Sequence, residues 1–252
     1  DWSSDVCSSD LYNQMGEIRF HFPYLLIAAF LLMIALLFGI SHLPSMKPGD
    51  DEHFTLKGLL SEGYSYRHLF FGVFAMFFYM GAESCTCGFF IPYLKSVLGY
   101  NDQSAAQYLT LYYILTAVMG MLGVVMLKYI KAHKLLGFFG IGMIVFFITI
   151  IVTNTGVNQF LLAGLGLFLS IMFPTIFSLA IEDLGDFTGK GSALVNFALI
   201  GGSVFPPIQG MIADNHGVQV SYIIPMFCVL MVTLYAFYFT REPLLLRNSK
   251  KN

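Results

Sequence analysis

Long uninterrupted apolar runs leave a chain of this kind few ways to fold. About 20 consecutive apolar residues cross a bilayer as a helix, and seven segments qualify: roughly 22–40, 69–94, 106–128, 135–153, 158–181, 192–213 and 219–240. In lipid the backbone must satisfy its own hydrogen bonds, so such runs become helices. Composition agrees: of the 252 residues 57% are hydrophobic and 11% charged, where soluble domains carry about 25% charged residues. The expected fold class is an all-α membrane protein. A net charge of −2, with 13 Lys and Arg spread over short loops, gives no basic face for nucleic acid. Cys85, Cys87 and Cys228 lie inside apolar spans, where a small apolar role is the simple reading. No disulfide framework, metal or cofactor is expected.

Punctuation divides the chain unevenly. Spans two to seven follow one another closely, whereas a largely polar stretch with Pro44, Pro48, Gly49 and Asp50-Asp51-Glu52 isolates the first. Residues 1–11 (DWSSDVCSSDL) lack Met, a basic region and an apolar stretch, so they are no signal peptide. They resemble translated adapter sequence and are read as a non-native leader, which puts the natural start upstream. The remaining units expected are 12–41, one helix of an earlier bundle; 42–67, a linker; 68–241, a six-helix bundle; and 242–252, a tail. With alternating spans, eleven of the basic residues fall on one side, and only Arg19 and Lys95 on the other. The positive-inside rule then places the linker and the tail in the cytoplasm.

Glu83 stands near the middle of the Leu69–Tyr93 run with no other charge around it. An acid at that depth costs roughly 2.5–3.5 kcal/mol on insertion scales and marks a functional site by default. Tyr79, Glu83 and Thr86/Cys87 share one stripe, extended by Gly72 and Phe90. Tyr108, Tyr112 and Thr116 form a stripe in the third span. In the fifth, Ser170, Pro174, Ser178 and Glu182 do so, with Thr175 beside them, and in the sixth Ser192, Asn196, Ser203 and Pro207, with Gln209 near the outer end. The fourth and seventh spans have weaker polar stripes and are expected to pack outside. Two triplets of the same kind are the mark of inverted-repeat transporters. Gly120, Gly123, Gly164, Gly166 and Gly201-Gly202 read as close helix contacts. Pro174, Pro206 and Pro207 interrupt the helical ladder and read as kinks for shape or gating.

The runs MFPTIFSLAI (Met172–Ile181), TGKGSA (Thr188–Ala193) and GG…PPIQGMIAD (Gly201–Asp214) go further, with FFYMGAES (Phe77–Ser84) beside them. They resemble the tenth and eleventh helices, and FFYMGAES the seventh, of the L-fucose–proton symporter family. That family lies in the major facilitator superfamily and includes the bacterial glucose/galactose transporters. The resemblance extends over about residues 16–245 and makes this chain a C-terminal fragment, its seven spans being helices six to twelve.

It implies a multi-pass protein of the bacterial cytoplasmic membrane with its C-terminus inside. It also implies hexose import by proton symport with alternating access, no enzymatic step, and a monomer that works with its missing N-terminal bundle. A poorly solvated Glu83 would then hold or release the proton. Tyr79, Thr86, Tyr112, Asn196 and Gln209 would meet sugar hydroxyls, with Thr175 near them and Phe173 as a stacking wall. Two alternatives stay open: a sugar facilitator without proton coupling, and a seven-helix receptor. No zinc-protease motif or Ser/His pair falls inside a span, and all six His lie in loops or at span ends.

Overall fold

The computed structural model describes residues 24–37 and 67–239. It divides into two compact units, Asp1–His53 and Phe54–Asn252. The first contributes one apolar helix, α1, Tyr24–Leu37. The leader 1–11, most of the linker 42–67, the tail 242–252 and the ends of the first span lie outside the described residues.

Among its described residues the regular structure of the second unit is all helical, and it holds six helices long and apolar enough to cross a membrane. Span two is α2 (Arg67–Gly88) followed by α3 (Phe90–Ser96). Spans three to five are α4 (Asp102–Tyr129), α5 (Ala132–Val152) and α6 (Asn158–Ile181). Span six is α7 (Thr188–Phe197) and α8 (Gly201–His216), joined by a 3₁₀ turn at Ala198–Ile200. Span seven is α9 (Val218–Ser221) and α10 (Ile223–Leu234), ending in a π turn at Tyr235–Phe239. Asn101 caps α4 by accepting from the Ser104 amide at 2.8 Å, and Gly217 ends α8 at φ 89°, a conformation only glycine takes without strain.

Proline accounts for two of the breaks. Pro92 has no N–H for the Gly88 carbonyl, and Pro225 none for the Ser221 carbonyl; α2 ends at Gly88, and α9 at Ser221. Pro174, Pro206 and Pro207 each leave the carbonyl four residues upstream without its helical partner, but none of them ends a helix. α6 continues through Pro174 and α8 through both of its prolines. Membrane helices absorb a missing bond when neighbours hold the segment. The 3₁₀ turn of span six lies upstream, against Gly201.

The packing order has a two-fold pattern. α2 and α6 touch each other at the centre; α8 lies on α2 as α4 lies on α6. α10 lies on α2 as α5 lies on α6, and α5 and α10 touch each other. Exchanging the triplets maps this pattern onto itself, as two inverted repeats of three helices require. Enclosure within this half differs from helix to helix. Spans four and seven are 44% and 50% buried, against 11% for span three and 33% for span six. Within this half the polar-striped third and sixth spans have the most open surface. Apolar surfaces with small residues can close on each other, as Gly140 does on Thr233, whereas a polar stripe needs a polar partner or water.

Every glycine expected at a close contact is at one. Gly120 meets Ser170, Gly123 meets Ile171, Gly164 meets Phe146 and Gly202 meets Ser84. Gly166 faces the Tyr112 carbonyl, and Gly201 presses on the Phe77 carbonyl.

A buried amide network closes one end of the bundle. Asn158 donates to the Tyr93 hydroxyl at 2.7 Å and to the Thr153 carbonyl at 2.6 Å, and accepts from the Thr153 hydroxyl at 2.8 Å. Tyr93 passes its own proton to the Ile150 carbonyl at 3.2 Å. The Gln219 amide lies 2.8–3.1 Å from the carbonyls of Ile150, Ile151 and Thr153, the open end of α5. Asn158→Ala should lower stability by about 1–3 kcal/mol, because buried partners lose their bonds. Thermal unfolding in detergent measures it, and an unchanged midpoint would show the network to be idle.

Candidate functional site

The i, i+4 spacing of α2 puts Tyr79 one turn before Glu83, and Cys87 one turn after it. Glu83 lies about 22 Å along the helix from His68 at 1.5 Å per residue, which places it well inside a 30 Å hydrocarbon layer. Its side chain is half-buried. The carboxyl has the Tyr79 hydroxyl as a hydrogen-bonding neighbour, and Cys87, Tyr112 and Tyr113 lie within its electrostatic reach.

Each neighbour is placed by a different contact. Tyr79 is buried and donates to the Leu169 carbonyl of α6 at 3.1 Å. Its ring lies 6.1 Å from that of Phe173, which stacks at 18° on Phe177. The Cys87 thiol donates to the Tyr112 hydroxyl at 3.3 Å, which brings in α4. Tyr112 is buried and packs on Phe90, while Tyr113 is 54% exposed beside it. Three phenols and a thiol thus lie within electrostatic reach of Glu83, and Tyr79 links it to an aromatic wall. The cluster offers hydrogen-bond partners and flat apolar faces, and a carboxyl that can take a proton.

The structure brings together Tyr79, Glu83, Tyr112 and Phe173. Among the described residues, no hydrogen bond or ring contact joins the remaining candidates to that group. Thr86 is fully buried and donates to the Ala82 carbonyl of its own helix at 2.7 Å, a bond that occupies its proton. Gln209 is fully buried; its amide nitrogen donates to Ser221 at 3.2 Å, and its Oε1 has no partner. Thr175 is buried on α6 with an unpartnered hydroxyl. Asn196 is exposed at the end of α7, beside the 3₁₀ turn. Pro174 and Pro207 are exposed and Pro206 half-buried.

Sequence reading missed Tyr113, the role of Cys87 and the Leu169 carbonyl. Cys87 lay on the Glu83 stripe and was legible. Tyr113 is one residue off its helix's stripe, and a backbone carbonyl carries no sequence signal. Two apolar cavities of about 300 Å³ flank the N-terminal half of α2, one toward Leu194 and Phe197 and one toward Met231 and Leu234. Neither includes Glu83.

No protein-family model matches the chain. A glucose/galactose transporter of Brucella abortus biovar 1 (strain 9-941) is 33% identical over 217 residues, covering 85% of this chain and 52% of that protein. The L-fucose-proton symporter of Escherichia coli (strain K12) is 27% identical over 219 residues, covering 85% and 50%. Among solved structures, the Escherichia coli fucose:proton symporter FucP aligns with a TM-score of 0.74 at 27% identity, over 85% of this chain and 53% of that one. The chain spans about half the length of the curated relatives it matches. Motifs, helix pairing and these likenesses agree: the chain belongs to the major facilitator superfamily, and its relatives there are glucose/galactose transporters and L-fucose–proton symporters.

Proposed function

We propose that this chain is the C-terminal half of a secondary transporter that imports a hexose together with a proton by alternating access. Glu83 carries the proposal: an ionisable group deep in the bundle with phenols and a thiol in electrostatic reach, in a bundle whose relatives are named for sugar and proton transport. A carboxyl in a poorly solvated site can bind and release one proton, and sugar hydroxyls can donate to its ionised form. Tyr112, Tyr113, Cys87 and Glu83 would meet the hydroxyls, and Phe173 would offer a flat face to ring C–H groups. Asn196 would meet sugar only if the break at Ala198–Ile200 swings it inward. Thr86, Thr175 and Gln209, buried in this conformation, would stay in the packing.

The remaining architecture follows as part of the same proposal. The open faces of α4 and α8 would meet an N-terminal bundle, to which α1 would belong, with 42–67 as the cytoplasmic link. The protein would sit as a monomer in the bacterial inner membrane with its C-terminus inside.

Simultaneous recording of sugar and proton fluxes in liposomes tests the reading. Carried in its complete reading frame, the protein should move about one proton per hexose, as one titrating carboxyl allows. Sugar flux with no proton flux would replace it with a facilitator.

A further inference from the structure

We propose that Tyr79 is a positioning residue that reports the protonation state of Glu83 to α6 through the Leu169 carbonyl, rather than a sugar contact. The inference rests on the reading that Glu83 carries the proton. A phenol has one proton to donate, and Tyr79 has two acceptors for it: the Leu169 carbonyl at 3.1 Å and the Glu83 carboxyl.

The two states of Glu83 divide that proton differently. An ionised carboxylate only accepts, and hydrogen bonds to it are about twice as strong as those to a neutral carbonyl. Tyr79 then turns to Glu83, and Leu169 loses the bond. A protonated carboxyl is itself a donor. It gives its proton to the Tyr79 oxygen, and Tyr79 gives its own to Leu169, a chain in which each bond polarises the next. No bond to hydrogen need break in the exchange beyond the entry or exit of the transported proton.

The link joins α2 to α6, the two central helices about which the triplets exchange. Leu169 precedes Ser170, whose carbonyl loses its helical partner at Pro174. The reporting bond therefore ends where the ladder of α6 is already one bond short. The titratable groups facing Glu83 are Tyr79 and Cys87 on α2, and Tyr112 and Tyr113 on α4. From α6, Phe173 packs on the Tyr79 ring. Among them Tyr79 alone also bonds to α6.

The test is infrared titration of the protein in liposomes, in its complete reading frame and labelled with ¹³C-carbonyl leucine. The band lost in Glu83→Gln identifies the carboxyl, and the component lost in Leu169→Ile identifies the carbonyl. In the wild type the two should change with one midpoint. In Tyr79→Phe the Leu169 band should stop responding to pH, and the Glu83 midpoint should move by about one pH unit or more, the scale of one lost charge-assisted bond. A single cooperative thermal transition of Tyr79→Phe in detergent shows the variant to be folded. If that variant does not fold, the wild-type comparison of the two bands decides. A Leu169 band indifferent to pH in the wild type, or still responsive in Tyr79→Phe, overturns the proposal. If the bands behave as expected but no proton accompanies sugar, the relay stands and the symport reading falls.

Discussion

Glu83→Gln should abolish accumulation of sugar driven by an inward proton gradient while leaving sugar exchange across the membrane in place. Gln has the shape of a protonated Glu and keeps a hydrogen-bonding neighbour for Tyr79, but it cannot release a proton. A gradient of two pH units stores about 2.7 kcal/mol per proton, enough for roughly a hundredfold concentration ratio. With the coupling lost, that ratio should fall to one. Radiolabelled sugar uptake with and without the gradient, beside counterflow at equal pH, reads both quantities. Coupled accumulation unchanged in the variant would remove Glu83 from the mechanism, and loss of counterflow too would make it a sugar ligand first.

The second large effect is expected far from any substrate. A Cβ built on Gly201 meets the Phe77 carbonyl oxygen, its carbon and the Phe77 ring, and a backbone group has no rotamer with which to withdraw. Phe77 lies six residues before Glu83, so α8 can yield only by moving away from the helix that carries the site. Overpacking of a tight contact costs about 1–3 kcal/mol, and Gly201→Val should reach the upper end and abolish uptake. Gly210→Ala is the control, because its nearest neighbour would stand at 3.8 Å. Thermal midpoints in detergent and uptake in liposomes should separate the two. Equal behaviour would mean that α8 does not seat on α2 as described.

The glycines were legible because their chemistry is local: in lipid, helices approach closely only where side chains are small. The Glu83 stripe was legible for a similar reason, since helical spacing fixes which residues share a face. The positions of Thr86 and Gln209 were not. Both lie on polar stripes, yet Thr86 bonds its own helix and Gln209 bonds Ser221, and a hydroxyl or amide has the same letter whether it faces packing or a cavity. The break after Gly88 had a signal in Pro92, four residues on. The 3₁₀ turn before Gly201 had none, because it lies where α8 presses on Phe77.

Sequence alone determined that this protein lives in a membrane, that six helices follow one another in two like triplets, and that one carboxyl lies deep among them. Those properties follow from hydropathy and helical period, which act along the chain. Only the tertiary structure decided which groups surround Glu83, that Tyr79 spans to Leu169, and which faces of this half are left open. Those depend on which faces meet across helices distant in sequence, and a single strand of letters does not contain that pairing.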